Sequence, residues 1–424
     1  MVSTVRHCLQ SNAESNLPEV IFEQISGSRA ELAFTLLQRL VESKPLNPEV
    51  KVILPTAWNT VRSHSTNLEL ALAGDLTEYR RIHLKVLFLA LQAHALGSNL
   101  DLSTPTTPAS LETMQTVLEV LKVIVAQGFR SLTSNLHDDL SRALPADFFL
   151  LTAMLRTCLR IPGIDRHTSQ VLSDFADNNV ARCASTLFSW SDQLTIDQDP
   201  IYGEISVLFL LELSSIPALA EHLAVEGILT RLSSANVMNY FRRPKGSGSF
   251  DAPTRMFSVW ARGILPLCLN LLAAIGAPMA SEVAAFLNQF PAQLRRASTA
   301  FDSKPTAADA TAGYITLSMT SEAQSLALIA AILDTFRAAG AGAGVISSDI
   351  AELNWDRAQV REDLENWLQR RNMLRERIVP SSEKEVVWSR MKAVDAGSES
   401  ETRLEEKVVG EFVAVTTCLG GGAE

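Results

Sequence analysis

The sequence predicts an all-α protein whose helices pair and stack along one elongated axis, and three observations indicate this fold class. Apolar residues recur at helical spacing along almost the whole chain, whereas the alternation typical of a half-buried strand is missing over any length. Helix-sized segments follow one another at intervals of roughly thirty residues without letter-by-letter repetition. Such degenerate helical pairs are typical of α-solenoids of the HEAT or armadillo type.

Length and composition agree with this class. The chain has 424 residues, of which 47% are hydrophobic and 20% are charged. This mixture excludes disorder over most of the length and suits a protein with much buried helix surface. We expect residues 1–424 to form a single elongated domain. Exposed loops rich in Ser, Thr, Gly, Pro and Asp are predicted at 97–108, 243–253, 302–313 and 395–402.

The first helices are predicted from their caps. Ser28 and Glu31 have the spacing of a capping box in front of an apolar helical stripe. A second helix is predicted to have Asp75 as its N-cap and Glu78 at its third position, and to end at Gly97. Two apolar stripes run along this second helix, which indicates that it packs against neighbours on two sides.

Later helices are predicted from apolar periodicity and, for several, from a proline at the first helical position, where the missing N–H costs no hydrogen bond. They are placed at Pro108–Leu132, Pro145–Arg160, Arg166–Asn178, Val180–Trp190, Pro200–Ser214, Pro217–Glu226, Ser321–Ala339, Arg357–Ile378, Ser382–Val394 and Glu401–Leu419. The most strand-like stretch, Ala312–Thr320, is interpreted as a loop that enters a helix.

The segment Phe257–Arg296 poses a choice between a membrane span and a buried helical hairpin. It contains nineteen consecutive residues without a formal charge, Gly263–Ser281, which approaches the ~20 apolar residues of a transmembrane helix. Pro266 removes a backbone hydrogen bond, however, and Gly276 with Pro278 has the pattern of a helix stop followed by a helix start. We therefore predict two helices joined by a tight turn, and no membrane insertion.

The hairpin is predicted to be core. Leu271 on its first helix and Phe286 on its second are expected to point into the protein interior. Trp260 and Trp367 lie on apolar stripes and are also interpreted as core residues rather than as the lining of a peptide groove.

Charge and cysteine content exclude several classes of partner. The net charge is −10 and the pI is near 5.3, so the chain has no bulk attraction for phosphate backbones and direct nucleic-acid binding is not expected. Basic clusters at Arg242–Lys245, Arg295–Arg296 and Arg370–Arg371 are interpreted as solvated helix ends. Five scattered cysteines lack the spacing of a zinc site or of a disulfide framework, and the first residues lack the pattern of a signal peptide.

One His-Asp string invites a catalytic interpretation. His137–Asp139 has the residue types of the metal-binding pair in some phosphohydrolases, but that chemistry needs further ligands. His94, His167 and His222 could supply imidazoles, and nothing in their spacing places them nearby. The string is interpreted as a polar loop before the helix at Pro145.

Other motif-like strings have plainer explanations. Ser381–Lys384 has S-x-x-K spacing, yet Ser382 with Glu385 is explained as a helix cap. The glycines of 340–344 lack both the third glycine of a dinucleotide-binding turn and a preceding strand. We therefore predict that the chain is not an enzyme, has no cofactor and holds no metal, and no residue is assigned to partner binding.

The hairpin resembles a known family. The string "ARGILPLCLNLLAAIG" followed by "SEVAAFLNQFPAQL" is similar to the C-terminal part of the large inner-ring scaffold nucleoporins of the nuclear pore complex. It resembles fungal nucleoporins of the one-eighty-eight type more than their one-ninety-two-type paralogues. The resembling residues are Trp260, Leu265, Pro266, Leu269, Asn270, Leu271, Leu272, Gly276, Glu282, Val283, Phe286, Leu287, Asn288, Gln289, Phe290, Pro291, Gln293 and Leu294.

The resemblance implies a karyopherin-like solenoid that forms the C-terminal part of a much larger scaffold protein. It further implies a structural role in the nucleus, at the pore in the nuclear envelope, where the chain docks a linker nucleoporin segment and supports transport of protein and RNA. The alternative is a soluble karyopherin-like receptor or adaptor that binds Phe-Gly repeats. A third hypothesis, an enzyme acting through His137 and Asp138, has no companion motif.

Overall fold

The computed structural model describes residues 1–10, 19–42, 50, 52–63, 78–99, 110–196, 199–302, 313–343, 350–390 and 403–420. Within these ranges every regular element is helical, and strand-type pairing is limited to isolated bridges such as that of Ile315 with Ile378. The chain divides into two compact units, Met1–Ala184 and Ser185–Glu424. Each unit has its own core. The single elongated domain stays a prediction.

The first unit is built from helices around one central element, α4. In chain order the elements are α1 Val2–Gln10, α2 Glu19–Glu42, α3 Ile53–Ser63, α4 Glu78–Asn99, α5 Leu111–Glu119, a π-helical segment Val120–Gln127, α6 Gly128–Asp138, α7 Pro145–Leu159, a 3-10 turn Ile164–His167 and α8 Thr168–Asp177. α4 packs against α2, α3 and α7. Its two apolar stripes therefore both meet neighbouring helices, as predicted.

The helix α9, Val180–Trp190, contains the boundary between the units. The second unit continues with α10 Ile201–Leu213, α11 Pro217–Val225, α12 Ile228–Ser234, a 3-10 turn Asn236–Tyr240, α13 Thr254–Ser258, a π-helical segment Val259–Ile264, α14 Leu265–Ile275, α15 Ala277–Asn288, α16 Pro291–Ser298, α17 Leu317–Ala343, α18 Arg357–Gln369, α19 Arg371–Arg377, α20 Glu383–Arg390 and α21 Leu404–Cys418. The helix α17 contacts both arms of the α14–α15 hairpin and also packs along α21.

The predicted hairpin is confirmed, and its first arm is longer than expected. The helical run is continuous over Thr254–Ile275, and Pro266 lies inside it. The Leu265 N–H bonds to the Trp260 carbonyl, five residues back. This wider turn lies directly before Pro266, whose ring would clash with a carbonyl in a regular α-helix. The helix ends only at Gly276, which has a φ of 76°.

The core residues predicted for the second unit are buried. Leu271 and Trp260 are fully buried, and Phe286 and Trp367 are at most 5% exposed. The Trp260 ring lies 5.7 Å from the ring of Phe290, and Phe286 meets the same ring at 5.5 Å between centroids. The Trp367 indole donates a hydrogen bond of 2.7 Å to a backbone carbonyl, so its polar atom is satisfied.

Two predicted helix ends in the first unit are wrong. Ser28 lies inside α2, where its Oγ donates to the Gln24 carbonyl at 3.0 Å. A serine in a helix interior can bond its own helix in this way, so the capping pattern alone did not mark a start. Gly97 lies inside α4, which ends at Asn99. The predicted cap Asp75 lies outside the described residues.

Three other predicted helices have different bounds. The helix predicted to end at Leu132 continues to Asp138, so the polar-loop interpretation of His137 is wrong. The helix predicted over Arg357–Ile378 is broken at Arg370, whose φ of −115° and ψ of 50° are not helical. The predicted start at Ser321 is also wrong, because α17 begins at Leu317.

Two surface predictions fail at particular residues. Within the predicted exposed loop 243–253, Gly246 and Ser247 are buried. The buried side chain of Gln293 accepts a 2.7 Å hydrogen bond from the Ser247 N–H and donates one of 3.0 Å to its carbonyl. The prediction that Arg296 is a solvated helix end is wrong, because its guanidinium bonds to the buried carboxylate of Glu322.

Candidate functional site

The first unit has a groove between α2, α4 and α7 that encloses about 680 Å³. We call it the α4 groove. Its lining residues recur at helical spacing, so each helix contributes one stripe. The lining consists of Phe34, Gln38, Val41 and Glu42 from α2, Glu78, Arg81, Lys85, Phe88, Leu89 and Gln92 from α4, and Leu144, Ala146, Asp147, Phe149, Leu150 and Ala153 at or within α7.

The floor of the α4 groove is apolar and only partly covered by the protein itself. Phe34, Phe88 and Leu150 are half-buried. At one end Leu144 is 43% exposed and Phe149 is 36% exposed. Large apolar side chains that stay exposed along a concave surface are typical of sites that bind another molecule.

A buried ion pair fixes two walls of the α4 groove. Arg81 on α4 donates from Nε to Asp147 Oδ1 at 2.9 Å and from Nη2 to Oδ2 at 3.1 Å. Asp147 is buried and also accepts the Leu144 N–H at 3.2 Å, which caps α7. The hydrogen bonds to Asp147 raise the pKa of Arg81, because they favour the charged guanidinium. It holds α4 and α7 in register.

The rim carries both signs of charge. Glu42 and Glu78 are exposed acids, and Lys85 is a partly exposed base beside the apolar floor. An amphipathic helix places apolar side chains at positions i, i+3 or i+4, and i+7, with its charges on the opposite face. The α4 groove offers complementary chemistry, because charged residues of both signs line it together with the apolar ones.

The predicted catalytic candidates do not come together. His137 lies in the last turn of α6, and its Nδ1 lies 3.7 Å from Oδ1 of the neighbouring Asp138, with both side chains 62% exposed. His94 lies in α4, His167 in the turn before α8, and His222 in a helix of the second unit. Among the described residues, no three His, Cys, Asp or Glu side chains are grouped so that they could hold a metal ion.

The S-x-x-K string is a helix cap, as predicted. The Ser382 Oγ accepts the Glu385 N–H at 3.3 Å. The buried Glu385 carboxylate accepts from the backbone N–H of Ser381 at 2.7 Å and lies 3.3 Å from Nη2 of Arg262. The serine is therefore held in a structural network.

Sequence reasoning did not find the α4 groove. Phe34 and Leu150 are far apart in the chain, and their proximity follows only from the packing of α2 and α7 on α4. The available signal was the apolar residue Phe149, which stands beside the buried Phe148 and breaks the single-stripe pattern of α7.

Comparison with known proteins decides the family. Residues 53–419 match the sequence profile of the nuclear pore protein NUP188 C-terminal domain. The chain belongs to the NUP188 family of nuclear pore proteins. It is 37% identical over its whole length to nucleoporin NUP188 of Chaetomium thermophilum, of which it covers 24%. It is 24% identical, over 66% of its length, to nucleoporin nup184 of Schizosaccharomyces pombe, of which it covers 17%.

A solved structure supports the same assignment. A Nup188 segment from Myceliophthora thermophila superposes with a TM-score of 0.71 and 38% identity, covering 87% of this chain and 98% of that one. The predicted all-α solenoid class and the predicted one-eighty-eight-type family are thus both confirmed. The chain spans about a quarter or less of the length of the curated NUP188 relatives named above.

Proposed function

We propose that this chain is part of a structural scaffold in the inner ring of the nuclear pore complex, at the nuclear envelope. The observation that carries the proposal is the NUP188-family match over residues 53–419. In this role the chain docks segments of linker nucleoporins and so supports transport of protein and RNA. The contribution is structural rather than catalytic, which fits the use of Ser382 and Glu385 in a helix cap.

The α4 groove is the proposed docking position in the first unit. Its occupant is an amphipathic helical segment of another nucleoporin, whose apolar face covers Phe34, Phe88 and Leu150 while its charged edges meet Glu42 and Lys85. Half-buried aromatic residues are the side chains from which such an interface gains most, because burial removes their remaining surface from water.

The apolar helical run Thr254–Ile275 is proposed to be a core element rather than a membrane span. It is the one described helix that is long and apolar enough to cross a bilayer, with a mean hydropathy of 1.6. More than half of its most apolar window, 56%, is buried within the protein. Trp260 and Leu271 pack inside the second unit, as expected for a helix that is apolar because it is surrounded by other helices.

The second candidate is a soluble transport receptor that binds Phe-Gly repeats. The aromatic floor of the α4 groove favours it, because Phe34 and Phe88 could receive a phenylalanine side chain. The two functions differ in ligand, since a scaffold needs one long amphipathic segment and a receptor needs many weak, exchangeable phenylalanine contacts.

A pull-down tests the scaffold proposal. The immobilised 424-residue chain is incubated with purified linker nucleoporin segments of the inner ring and, separately, with a Phe-Gly repeat peptide. We expect a linker segment to be retained, and Phe149→Glu or Phe88→Glu to abolish its retention because a carboxylate would enter the apolar floor. Leu111→Glu is the matched control, since Leu111 is 84% exposed in the same unit and outside the groove.

The outcomes separate the candidates. Retention of a linker segment that is lost in the groove variants and kept in the Leu111→Glu control supports scaffold docking. Failure to retain any linker segment contradicts it, and retention of the Phe-Gly peptide alone favours the transport receptor.

A further inference from the structure

The second unit carries a small basic pocket at the junction of α19, α20 and the start of α21. It encloses about 230 Å³ and is lined by Arg375, Ile378, Trp388, Ser389, Arg403, Leu404 and Glu405. We call it the Trp388 pocket. Both aromatic and guanidinium side chains, the two types most enriched among residues that dominate binding interfaces, line it.

The charge of the Trp388 pocket is opposite to that of the chain. Lys384 Nζ lies 5.0 Å and Lys407 Nζ lies 4.5 Å from the centroid of the Trp388 ring. Arg375 and Arg403 add two guanidinium groups to the lining, so the four cations outnumber the two nearby carboxylates, Glu405 in the lining and Glu406, which accepts the Arg403 N–H. The chain as a whole has a net charge of −10, so a cluster of four cations is a local exception that attracts anionic ligands.

The pocket already accepts one carboxylate. Arg375 Nε donates to Glu405 Oε2 at 2.7 Å, a short charge-assisted hydrogen bond. A guanidinium has five N–H donors, and the Arg375 side chain is 64% exposed, so it can bond a second carboxylate. The pocket also includes the N-terminal turn of α21, where the positive end of the helix dipole favours negative charge.

The apolar residues of the Trp388 pocket favour an acidic protein segment over a nucleic-acid strand. Ile378 and Leu404 are aliphatic, and Trp388 is half-buried, with the ammonium groups of Lys384 and Lys407 over its ring. The part of the indole that stays exposed adds apolar surface. These groups suit an apolar side chain next to an acidic one. A nucleic-acid strand needs a basic track that follows its backbone, and the net charge of the chain opposes such a polyanion. The observations therefore favour a protein ligand.

We propose that the Trp388 pocket binds an acidic segment of a partner protein, with a carboxylate between Arg375 and Arg403 and a neighbouring apolar side chain against Ile378 and the exposed part of the Trp388 indole. This site goes beyond the proposed function, which places docking of an amphipathic helix in the first unit. Because the two sites lie in different units and are altered by different substitutions, either can fail without the other.

Fluorescence anisotropy tests the proposal on the full 424-residue chain. The probes are a labelled short Glu-rich peptide with one central Phe, the same peptide with Lys in place of every Glu, and a single-stranded thymidine oligonucleotide of equal length. We expect saturable binding of the Glu-rich peptide, weakened as salt is raised, and no binding of the Lys-rich peptide.

Two substitutions locate the site, and one controls for general charge. Trp388→Ala and Arg403→Gln should each raise the Kd for the Glu-rich peptide by about tenfold or more, as expected for a dominant interface residue. Arg371→Gln removes an exposed cation outside the pocket and should change the Kd by less than about twofold. Circular dichroism melting checks that each variant folds. If Trp388→Ala does not fold, Arg403→Gln still tests the site.

Five results would overturn the proposal. Four concern the probes: no binding of the Glu-rich peptide, equal binding of the Lys-rich peptide, tighter binding of the oligonucleotide, or equal weakening by Arg371→Gln. The fifth is self-association of the chain that is lost in Arg403→Gln, since the occupant would then be a second copy.

Discussion

Replacing Gly263 by alanine, which adds a single methyl group, should destabilise the second unit. It lies in the π-helical segment Val259–Ile264, which packs against α10. A Cβ added at Gly263 would lie 3.2 Å from the Cβ of Val207 and closer still to its Cγ1, well inside van der Waals contact. Val207 is fully buried, so it has little room to move away.

The expected magnitude follows from two opposing terms. Overpacking a well-packed core costs ~1–3 kcal/mol, and the contact with both Val207 carbons places Gly263→Ala in the upper part of that range. Alanine recovers about 1 kcal/mol of helix propensity relative to glycine. The net prediction is that Gly263→Ala lowers the free energy of unfolding by about 1–2 kcal/mol.

A control substitution at another glycine should change the free energy of unfolding in the opposite direction. Gly410 lies in the middle of α21, and a Cβ added there meets nothing within 4 Å. Gly410→Ala should therefore raise the free energy of unfolding by up to about 1 kcal/mol. In the Val207→Ala background the contact with Cγ1 is removed and only the 3.2 Å contact with Cβ remains. Gly263→Ala should therefore cost clearly less there, and a double-mutant cycle measures that coupling.

Urea unfolding followed by circular dichroism gives these values, and hydrogen exchange locates the loss within the second unit. The reasoning is refuted if Gly263→Ala is as stable as the unmodified chain, or if Val207→Ala leaves its cost unchanged.

Three further predictions concern the second unit. Leu271→Ala should lower the free energy of unfolding in urea by ~2–5 kcal/mol and Phe286→Ala by ~3–5 kcal/mol, because each leaves a cavity in the hairpin core. Unchanged stability in both variants would contradict the burial of these residues. Gln293→Ala removes both hydrogen bonds to Ser247, so trypsin should cut the adjoining loop sooner than in the unmodified chain, and an equal rate would mean that the loop is held otherwise. Burial raises the pKa of Glu411 above its ordinary value of 4.5, so its contribution to stability is present below that value and is lost as pH rises through the folded pKa. Glu411→Gln should flatten this loss in unfolding measured across pH, and a parallel pH profile would contradict it.

Much of the fold could be predicted because the apolar spacing of a helix is contained within each short segment of sequence. The hairpin around Gly276 is predicted from a glycine and a proline, because the backbone preferences of these residues do not depend on the rest of the protein. The continuation through Pro266 could not be found in this way. It depends on a π-helical turn that rearranges the hydrogen bonds of the preceding residues.

The helix ends and the sites were harder because they depend on distant partners. Ser28 satisfies its hydroxyl within α2, and the loop at Ser247 is held by Gln293 from another helix. The α4 groove and the Trp388 pocket arise where three elements meet, so no single stretch of sequence contains either one. The basic residues Lys384 and Lys407 were not singled out, because only the structure brings both to one indole ring.

The central claim is that this NUP188-family chain serves as a stationary scaffold at the nuclear pore. Photobleaching of a fluorescent fusion of this protein, in its own cells, is the decisive test. A stationary scaffold should give fluorescence at the nuclear rim that does not recover on the timescale of transport. Recovery within seconds, as for a receptor that exchanges through the pore, would contradict it.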